Sequence, residues 1–317
     1  MTPEPQSQTP IQMDQDAPVV RLDNGLLKLA IRPTLGGKIT ELRDKDGKQW
    51  IWENPNIPLK TTSPGASYDD NWAGGWEELF PNDAQESFGG KDLFDHGEWW
   101  NAQWDYSNIA DGRGCELKFT TRTLKTECIK KIELSPTKPE VWIRYRITNL
   151  EENKIRFLFK QHLAVAVTPH HQIELPGGTA EPVDLNFSTR VADHTPFSWP
   201  HGRGKNGSSV DLSRLPSAND KQKEFLYVSE LPEGWCGVRD TQTQKSLRLH
   251  FDRKVFPHTW LFMTFGGWRD LYTVVLEPCT NKPKGLNEAV AADQCARLEP
   301  GETLETDVRA EIIQESS

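Results

Sequence analysis

A glutamate that follows an apolar run is the first residue of this chain whose position suggests chemistry. Leu271–Leu276 is β-branched and aromatic, which is typical of a strand covered on both faces. Glu277 comes next, and Pro278 removes a backbone donor and favours extended geometry in the residue before it. We therefore predict that Glu277 ends a buried strand. It is there either as a general base at the mouth of a cavity or as a solvated carboxylate at a sheet rim.

An imidazole inside a second apolar run could complement this carboxylate. His162 lies in the middle of Lys154–Val167, among mostly apolar neighbours. Because burying a polar group without a hydrogen-bond partner is costly, His162 is either a satisfied core histidine or an acid–base group. The reference pKa values are about 4.3 for Glu and about 6.5 for His. An ionised Glu277 and a protonated His162 can therefore coexist near neutral pH.

The composition argues against several classes of function. The 317 residues carry a formal net charge of −9, which disfavours nucleic acid and anionic membranes as partners. No apolar run approaches the roughly 20 residues of a membrane-spanning helix. The five cysteines form no C-x-x-C pair and no zinc-type cluster, which favours buried free thiols in a reducing compartment. We expect a cytoplasmic protein without a metal or other cofactor.

Short strands must position these two candidate residues. Asn24-Gly25 favours a hairpin turn between Val19–Leu22 and Leu26–Ile31. Glu140–Asn149 alternates apolar and polar residues with period two, which predicts a half-buried strand. Many such runs, with almost no helical periodicity, predict an all-β sandwich or barrel with one short helix within Asn281–Asp293. We predict a single domain over residues 18–314, preceded by a disordered tail over residues 1–17 that is rich in Pro, Gln and Ser.

The segment Glu53–Asp95 differs from the strands around it. It is dense in Pro, Gly, Asn and Asp, and it sets tryptophans beside carboxylates and amides. A loop of this length is uncommon without a function, because ordering it costs backbone entropy. Aromatic rings can stack on the apolar face of a sugar while polar groups bind its hydroxyls. The alternative is a packed surface loop that its tryptophans anchor.

Four separated pieces of the chain form an ordered set: Asn24–Pro55, Asp95–Trp104, Phe157–Val165 and Trp260–Pro283. They contain a Gly-Gly start, a His-Gly-x-x-Trp motif, a histidine inside an apolar strand, and a strand that ends in Glu-Pro. In this order they resemble the aldose 1-epimerases, or galactose mutarotases, over most of the chain after the tail. The resemblance implies a large antiparallel β supersandwich with very little helix and a concave sugar cleft.

The resemblance also implies roles for individual residues. Glu277 would be the base, His162 the acid, and the histidine of the His-Gly pair, His96, a contact to the sugar. Further candidates for substrate-binding cleft residues are Trp76, Asn82, Asp83 and Trp260. The implied partner is a small sugar, with no cofactor, and we expect a monomer or a weak homodimer.

Two departures from the family's pattern bear on the identity of the sugar. Galactose-type members carry arginines in a loop before the His-Gly pair, whereas residues 74–82 of this chain, GGWEELFPN, contain none. Where the family has a substrate-binding aspartate, this chain has Lys221 or Lys223. A lysine there favours an acidic or phosphorylated sugar, unless it is only a solvated loop residue.

Three functions compete on these observations. The first is a mutarotase that acts on a free or phosphorylated aldose. The second is a sugar-binding module of the same fold without turnover, which the missing arginine favours. The third is a lyase or hydrolase on polymeric carbohydrate, which the absence of a signal-peptide pattern disfavours. Fold alone cannot decide among them.

Overall fold

The computed structural model describes residues 11–14, 17–109 and 112–314. Two short helices, α1 (Tyr68–Asn71) and α2 (Leu286–Ala291), and two 3-10 turns, Trp99–Asn101 and Ala218–Asp220, occur among its strands. None of the described helices is long and apolar enough to cross a membrane. The strands, numbered β1 to β25 along the chain, are Ile11–Asp14, Ala17–Asp23, Leu27–Arg32, Lys38–Asp44, Trp76–Leu79, Glu86–Phe88, Lys91–Leu93, Asp105–Asn108, Gly114–Thr120, Thr126–Leu134, Glu140–Asn149, Ile155–Phe157, Lys160–Val165, His171–Glu174, Thr179–Pro182, Phe197–Ser198, His201–Arg203, Ser209–Asp211, Gln222–Ser229, Trp235–Asp240, Lys245–Phe251, His258–Phe265, Tyr272–Cys279, Ala296–Leu298 and Thr303–Gln314.

Two large antiparallel sheets form the body of the molecule. The first sheet has eleven strands in the order β1-β2-β3-β4-β5-β13-β23-β22-β19-β15-β16. The second sheet has eight strands in the order β14-β20-β21-β25-β11-β10-β9-β8. Apolar side chains from both sheets meet in one hydrophobic cluster. The prediction of an all-β antiparallel sandwich with very little helix is therefore confirmed; α2 lies within the predicted Asn281–Asp293, whereas α1 is a second short helix that was not predicted.

The two faces of the first sheet have different roles. β13 is buried at every position, so both of its faces are covered. Side chains in a strand alternate between faces, and Leu163 and Val165 lie in the core cluster between the sheets. Lys160 and His162 therefore point to the opposite face of the sheet, away from that core.

Two predictions from the sequence differ from the structure. Ile11–Asp14 falls inside the predicted disordered tail but pairs with β2, which itself begins at Ala17. Residues 1–10, 15 and 16 of that prediction lie outside the described residues. β23 continues to Cys279, so Glu277 lies within the strand and not at its end. β22 pairs with β23 over this whole length, including Pro278. On the other side, the pairs between β23 and β13 stop at Leu276 and resume at Cys279. Pro278 is tolerated because it lies where this second ladder is interrupted, so its missing backbone donor is not needed there.

The cysteines are free, and four of them, Cys115, Cys128, Cys236 and Cys279, are buried as predicted. Cys295 is only partly buried. Burial raises the pKa of the Cys115 thiol to about 12, which keeps it protonated and unreactive at neutral pH.

Candidate active site

A cavity of about 240 Å³ lies on the face of the first sheet that points away from the core. It is smaller than the roughly 300–1,000 Å³ of pockets for drug-sized ligands, which limits it to a small molecule. Its lining combines carboxylates, imidazoles and lysines with aromatic rings. Within the described ranges, no group of three or more His, Cys, Asp or Glu is placed to hold a metal ion.

The register of three neighbouring strands sets a carboxylate beside an imidazole. His162 on β13 pairs with Glu77 on β5. On the other side, β13 pairs Lys160 with Cys279 and Leu163 with Leu276, so the same register puts His162 opposite Glu277. Residues directly opposite each other on antiparallel strands point to the same face. Glu277 and His162 consequently line the same cavity.

A buried lysine joins two carboxylates at the floor of this cavity. Lys160 Nζ lies 2.6 Å from Asp83 Oδ1 and 2.7 Å from Glu277 Oε2, and its side chain is 2% exposed. Burial lowers the pKa of Lys160, but Asp83 and Glu277 more than offset this, and its pKa is raised. Lys160 is therefore a permanent cation at neutral pH, and it leaves the three groups with one net negative charge.

The two carboxylates respond differently to this environment. Burial raises the pKa of Glu277, and the opposing influence of Lys160 is smaller, so the net shift is upward. Burial also raises the pKa of Asp83, but Lys160 and His96 outweigh it, and the net shift is downward. Asp83 is thus the fixed anion of the site, whereas Glu277 is the carboxylate with the greater affinity for a proton.

The two histidines of the cavity also differ in charge. Burial, together with the positive charges of Lys160 and His96, lowers the pKa of His162 well below its usual value. Burial lowers the pKa of His96 too, but Asp83 and Asp95 outweigh it and the net shift is upward. His96 Nδ1 lies 2.8 Å from Asp95 Oδ1. The lowered pKa favours the neutral form of His162 in the unliganded protein, whereas the reference pKa values allow an appreciable protonated fraction near neutral pH.

The His-Gly pair has a backbone requirement as well as a chemical one. His96 has φ of 59° and Gly97 has φ of 73°, both in the left-handed region. A Cβ added to Gly97 would lie 2.2 Å from the carbonyl oxygen of Phe80. Only glycine permits this close approach, which holds His96 over the cavity.

An arc of aromatic rings also lines the cavity. Trp72 and Trp268 have ring centroids 6.2 Å apart, and Trp268 lies 5.3 Å from Phe262. Phe262 lies 5.3 Å from Phe187, which lies 6.5 Å from Phe225. A cavity lined by both aromatic rings and charged groups can hold a ligand with an apolar face and polar edges.

The structure brings four of the predicted site residues together. Asp83, His96, His162 and Glu277 line the cavity. The other three candidates, Trp76, Asn82 and Trp260, are not among its lining residues.

Trp76 and Asn82 have structural positions instead. Trp76 points into the core between the sheets, where its Nε1 donates to Gln161 Oε1 at 2.9 Å. Asn82 Nδ2 donates to the carbonyl oxygens of Ala84 and Phe94, at 2.7 Å each, and so holds the loop that carries Asp83. Both side chains are buried and lie outside the cavity lining, and their contact with a ligand stays a prediction.

Trp260 and the two loop lysines also lie outside the cavity lining. Trp260 is buried beneath Lys160, whose Nζ is 4.1 Å from the ring centroid, and so supports the cavity floor. Lys221 pairs with Asp270 at 2.7 Å, and Lys223 Nζ lies 4.5 Å from the Phe187 ring centroid. Neither lysine lines the cavity. Asp184, an acidic residue from the same half of the chain as the two lysines, does line the cavity.

Sequence reasoning missed most of the residues that line the cavity, among them Tyr68, Trp72 and Lys160. A signal existed for Lys160, because it stands two residues before His162 and must share its face of the strand. Trp72 belongs to the aromatic and acidic loop that the sequence marks as unusual. Tyr68 lies in the same loop, but no feature of its own distinguishes it in the sequence.

Comparisons with known proteins bear on the fold. No model of a protein family matches the chain, and no curated protein does. Solved structures are similar over nearly its whole length. A protein from Synechocystis sp. PCC 6803 has a TM-score of 0.71 and 16% identity, and the match covers 98% of this chain and 99% of that one. A galactose mutarotase-like protein from Clostridium acetobutylicum has a TM-score of 0.67 and 14% identity, covering 97% and 99%.

A galactose mutarotase related enzyme from Lactobacillus acidophilus has a TM-score of 0.66 and 13% identity, with 93% of this chain and 97% of that one covered. Identities this low carry information on architecture alone. The strand content, the two antiparallel sheets and these similarities lead to one conclusion. The chain has the galactose mutarotase-like β-sandwich fold, so the resemblance in its sequence is confirmed at the level of the fold.

Proposed function

We propose that this protein is an aldose 1-epimerase, which interconverts the α and β anomers of an aldose or an aldose phosphate. The observation that carries the proposal is the position of Glu277 and His162, which the register sets opposite each other on adjacent strands and which line one cavity sized for a small ligand. The similar mutarotase-like structures support the fold that positions these two residues. The activity itself rests on the two side chains.

The reaction needs one base and one acid. Glu277 removes the proton of the C1 hydroxyl while protonated His162 delivers a proton to the ring oxygen, and the C1–O5 bond opens. Rotation about C1–C2 presents the other face of the aldehyde, and the two residues exchange roles as the ring closes. Both must lie about 3 Å from their target atoms, which neighbouring positions in one register permit.

The pKa shifts of the pair suit this chemistry. A carboxylate whose pKa is raised is a stronger base than an exposed glutamate. An imidazolium whose pKa is lowered is a stronger acid than a free one. The same shifts reduce the fraction of molecules in which Glu277 is ionised and His162 protonated. Because the two groups are close, their titrations belong to the pair and not to either residue.

The remaining groups of the cavity supply binding. The aromatic arc would cover the apolar face of the pyranose, and Asp83 and His96 would accept and donate hydrogen bonds to its hydroxyls. Lys160 is paired with Asp83 and Glu277, and its third N–H donor leaves it one hydrogen bond for the substrate.

Anomerisation rates test the proposal directly. Exchange between anomers would be measured by NMR for a panel of hexoses, pentoses and their 6-phosphates, with and without the protein. We expect acceleration of at least one sugar, loss of it in Glu277→Gln, and full activity in Glu288→Gln, a change of an exposed glutamate on α2. Saturable sugar binding by calorimetry without any rate effect would instead identify a carbohydrate-binding module. No effect on any sugar, with no binding, would remove both functions.

A further inference from the structure

A buried chain of polar groups stands behind His162. Glu77 is fully buried, and its Oε2 lies 2.7 Å from Lys38 Nζ. Its other oxygen, Oε1, accepts a hydrogen bond of 2.6 Å from the hydroxyl of Tyr68. The same hydroxyl oxygen lies 3.2 Å from His162 Nδ1. These contacts link β4, β5, α1 and β13 at the wall of the cavity.

The direction of these hydrogen bonds follows from the protons available. Tyr68 has one hydroxyl proton, and burial followed by the charge of Glu77 raises its pKa well above the usual value, so the proton stays. A carboxylate at 2.6 Å is a stronger acceptor than an imidazole at 3.2 Å, so this proton points to Glu77. The hydroxyl oxygen is then free to accept, and the group that can donate to it is Nδ1–H of His162.

We infer that Tyr68 and Glu77 are positioning residues that hold His162 in the tautomer with its proton on Nδ1. Nε2 is then the nitrogen that exchanges a proton with the substrate. The tautomer is a property of the unliganded protein, whereas its use in turnover rests on the proposed function. Tyr68 also stacks on His96, with ring centroids 3.9 Å apart and planes 8° from parallel, so one side chain orients both imidazoles of the cavity.

The charged groups around His162 come from several elements. Lys160 lies on its own strand, Glu277 opposite on β23, and Glu77 Oε1 at 3.7 Å from Nδ1 on β5. Lys38 on β4 and His96 contribute positive charge from further away. Among these groups, Glu77 has the carboxylate closest to His162 Nδ1, and the hydroxyl of Tyr68 contacts both of them.

The same strand provides a matched control. The next residue of β5, Glu78, points to the core. There it accepts a hydrogen bond of 2.5 Å from the Tyr145 hydroxyl and one of 2.7 Å from Lys130 Nζ. Tyr68→Phe and Tyr145→Phe therefore delete the same hydroxyl from the same kind of buried Tyr–Glu pair. Only the first of these hydroxyls contacts His162.

Nitrogen NMR of the protein labelled with ¹⁵N-histidine measures the tautomer without any sugar. The His162 signals would be assigned by their loss in His162→Asn. We expect a protonated Nδ1 and an unprotonated Nε2 in the wild type at pH 7.5, and the same in Tyr145→Phe. In Tyr68→Phe we expect a mixture of tautomers. A wild-type His162 with its proton on Nε2 would overturn the inference, whether or not either variant folds.

Kinetics with an accepted aldose provides the second readout. We expect kcat of Tyr68→Phe to fall at least tenfold while KM changes less than threefold, and both constants of Tyr145→Phe to stay within threefold of wild type. Equal kinetics and equal tautomers in the two variants would refute the positioning role. If no aldose is turned over by the wild type, the proposed function fails, and the NMR result still decides the tautomer.

Discussion

Replacing Lys160 with methionine tests the electrostatics of the site most directly. The change keeps a long apolar side chain but removes the ammonium that lies 2.6 Å from Asp83 Oδ1 and 2.7 Å from Glu277 Oε2. Two buried carboxylates then remain without a cation between them. Breaking a buried ion pair by removing one partner costs about 3–5 kcal/mol. Domains have about 5–15 kcal/mol of stability in total, so we expect the variant to fold with a reduced margin.

The pH dependence of this loss has a definite sign. The pKa of Glu277 is raised in the folded protein, and Lys160 opposes that shift, so Lys160→Met raises it further. A carboxyl group with a raised pKa favours the folded state when protonated, and this contribution is lost as pH rises through its folded pKa. The variant should therefore be closer to the wild type at pH 5 than at pH 7. Each unit of further shift corresponds to about 1.4 kcal/mol.

The catalytic pH profile should move as a whole. Lys160 lowers the pKa of both Glu277 and His162, so removing it raises both values. A charge within 4–6 Å typically shifts a pKa by about 1–3 units, which is the expected upward displacement of the kcat/KM profile. The assay is anomer exchange from pH 5 to pH 9, with urea unfolding at pH 5 and pH 7.

Lys130→Met is the matched control for this experiment. Lys130 is also fully buried and lies 2.7 Å from a carboxylate oxygen, that of Glu78, but on the core side of β5. It should lose a similar amount of stability without moving the pH profile. A folded Lys160→Met variant whose profile coincides with that of Lys130→Met would refute the assignment of Glu277 and His162 as the titrating pair.

Three further outcomes follow from the site. Because the reaction needs one proton on the Glu277–His162 pair, wild-type kcat/KM should fall about tenfold per pH unit on the alkaline side; a flat profile from pH 7 to pH 9 would contradict this. Gly97→Ala should lower the free energy of unfolding in urea by about 1–3 kcal/mol. The loss should exceed that of Gly47→Ala, because Gly47 also has a positive φ, 85°, but no atom within 4 Å of the added Cβ. Equal losses would count against the close approach at Gly97. Trp268→Ala should raise KM about three- to tenfold and leave kcat within threefold of wild type, because Trp268 lines the cavity. Trp142 lies in the second sheet, so Trp142→Ala should leave KM unchanged. Equal effects of the two changes would argue against a role of the aromatic arc in binding.

Local patterns were enough to predict most of the strands. Glu140–Asn149 is a strand with the bounds that its alternation predicts, because the two-residue period of a strand depends only on adjacent residues. The Asn24-Gly25 turn likewise joins β2 to β3, with Gly25 at φ of 79°. Glu277 and His162 were found in the same way, the first as a carboxylate directly after an apolar run and the second as an imidazole within one. Their placement in strands needed no knowledge of which strands pair with them.

Which face a residue occupies was harder to predict. Trp76 has the residue type expected of a sugar site but points into the core, whereas Glu77, one position later, points to the cavity side. A shift of one residue in a strand exchanges the two faces. In a strand that is buried on both faces, hydrophobicity does not distinguish them, so the sequence left this choice open.

The sequence by itself determined the fold class, the strands that hold Glu277 and His162, and the glycine that allows His96 its position. Only the tertiary structure decided that β13 lies between β5 and β23, and so which charges meet. Lys160 is one lysine in an apolar run until Asp83 and Glu277, distant in the chain, surround its ammonium. Tyr68 has no special feature until α1 packs against β5 and β13. Strand order and side-chain packing depend on contacts between distant segments, and the protonation of a buried group depends on all the charges that those contacts bring near it.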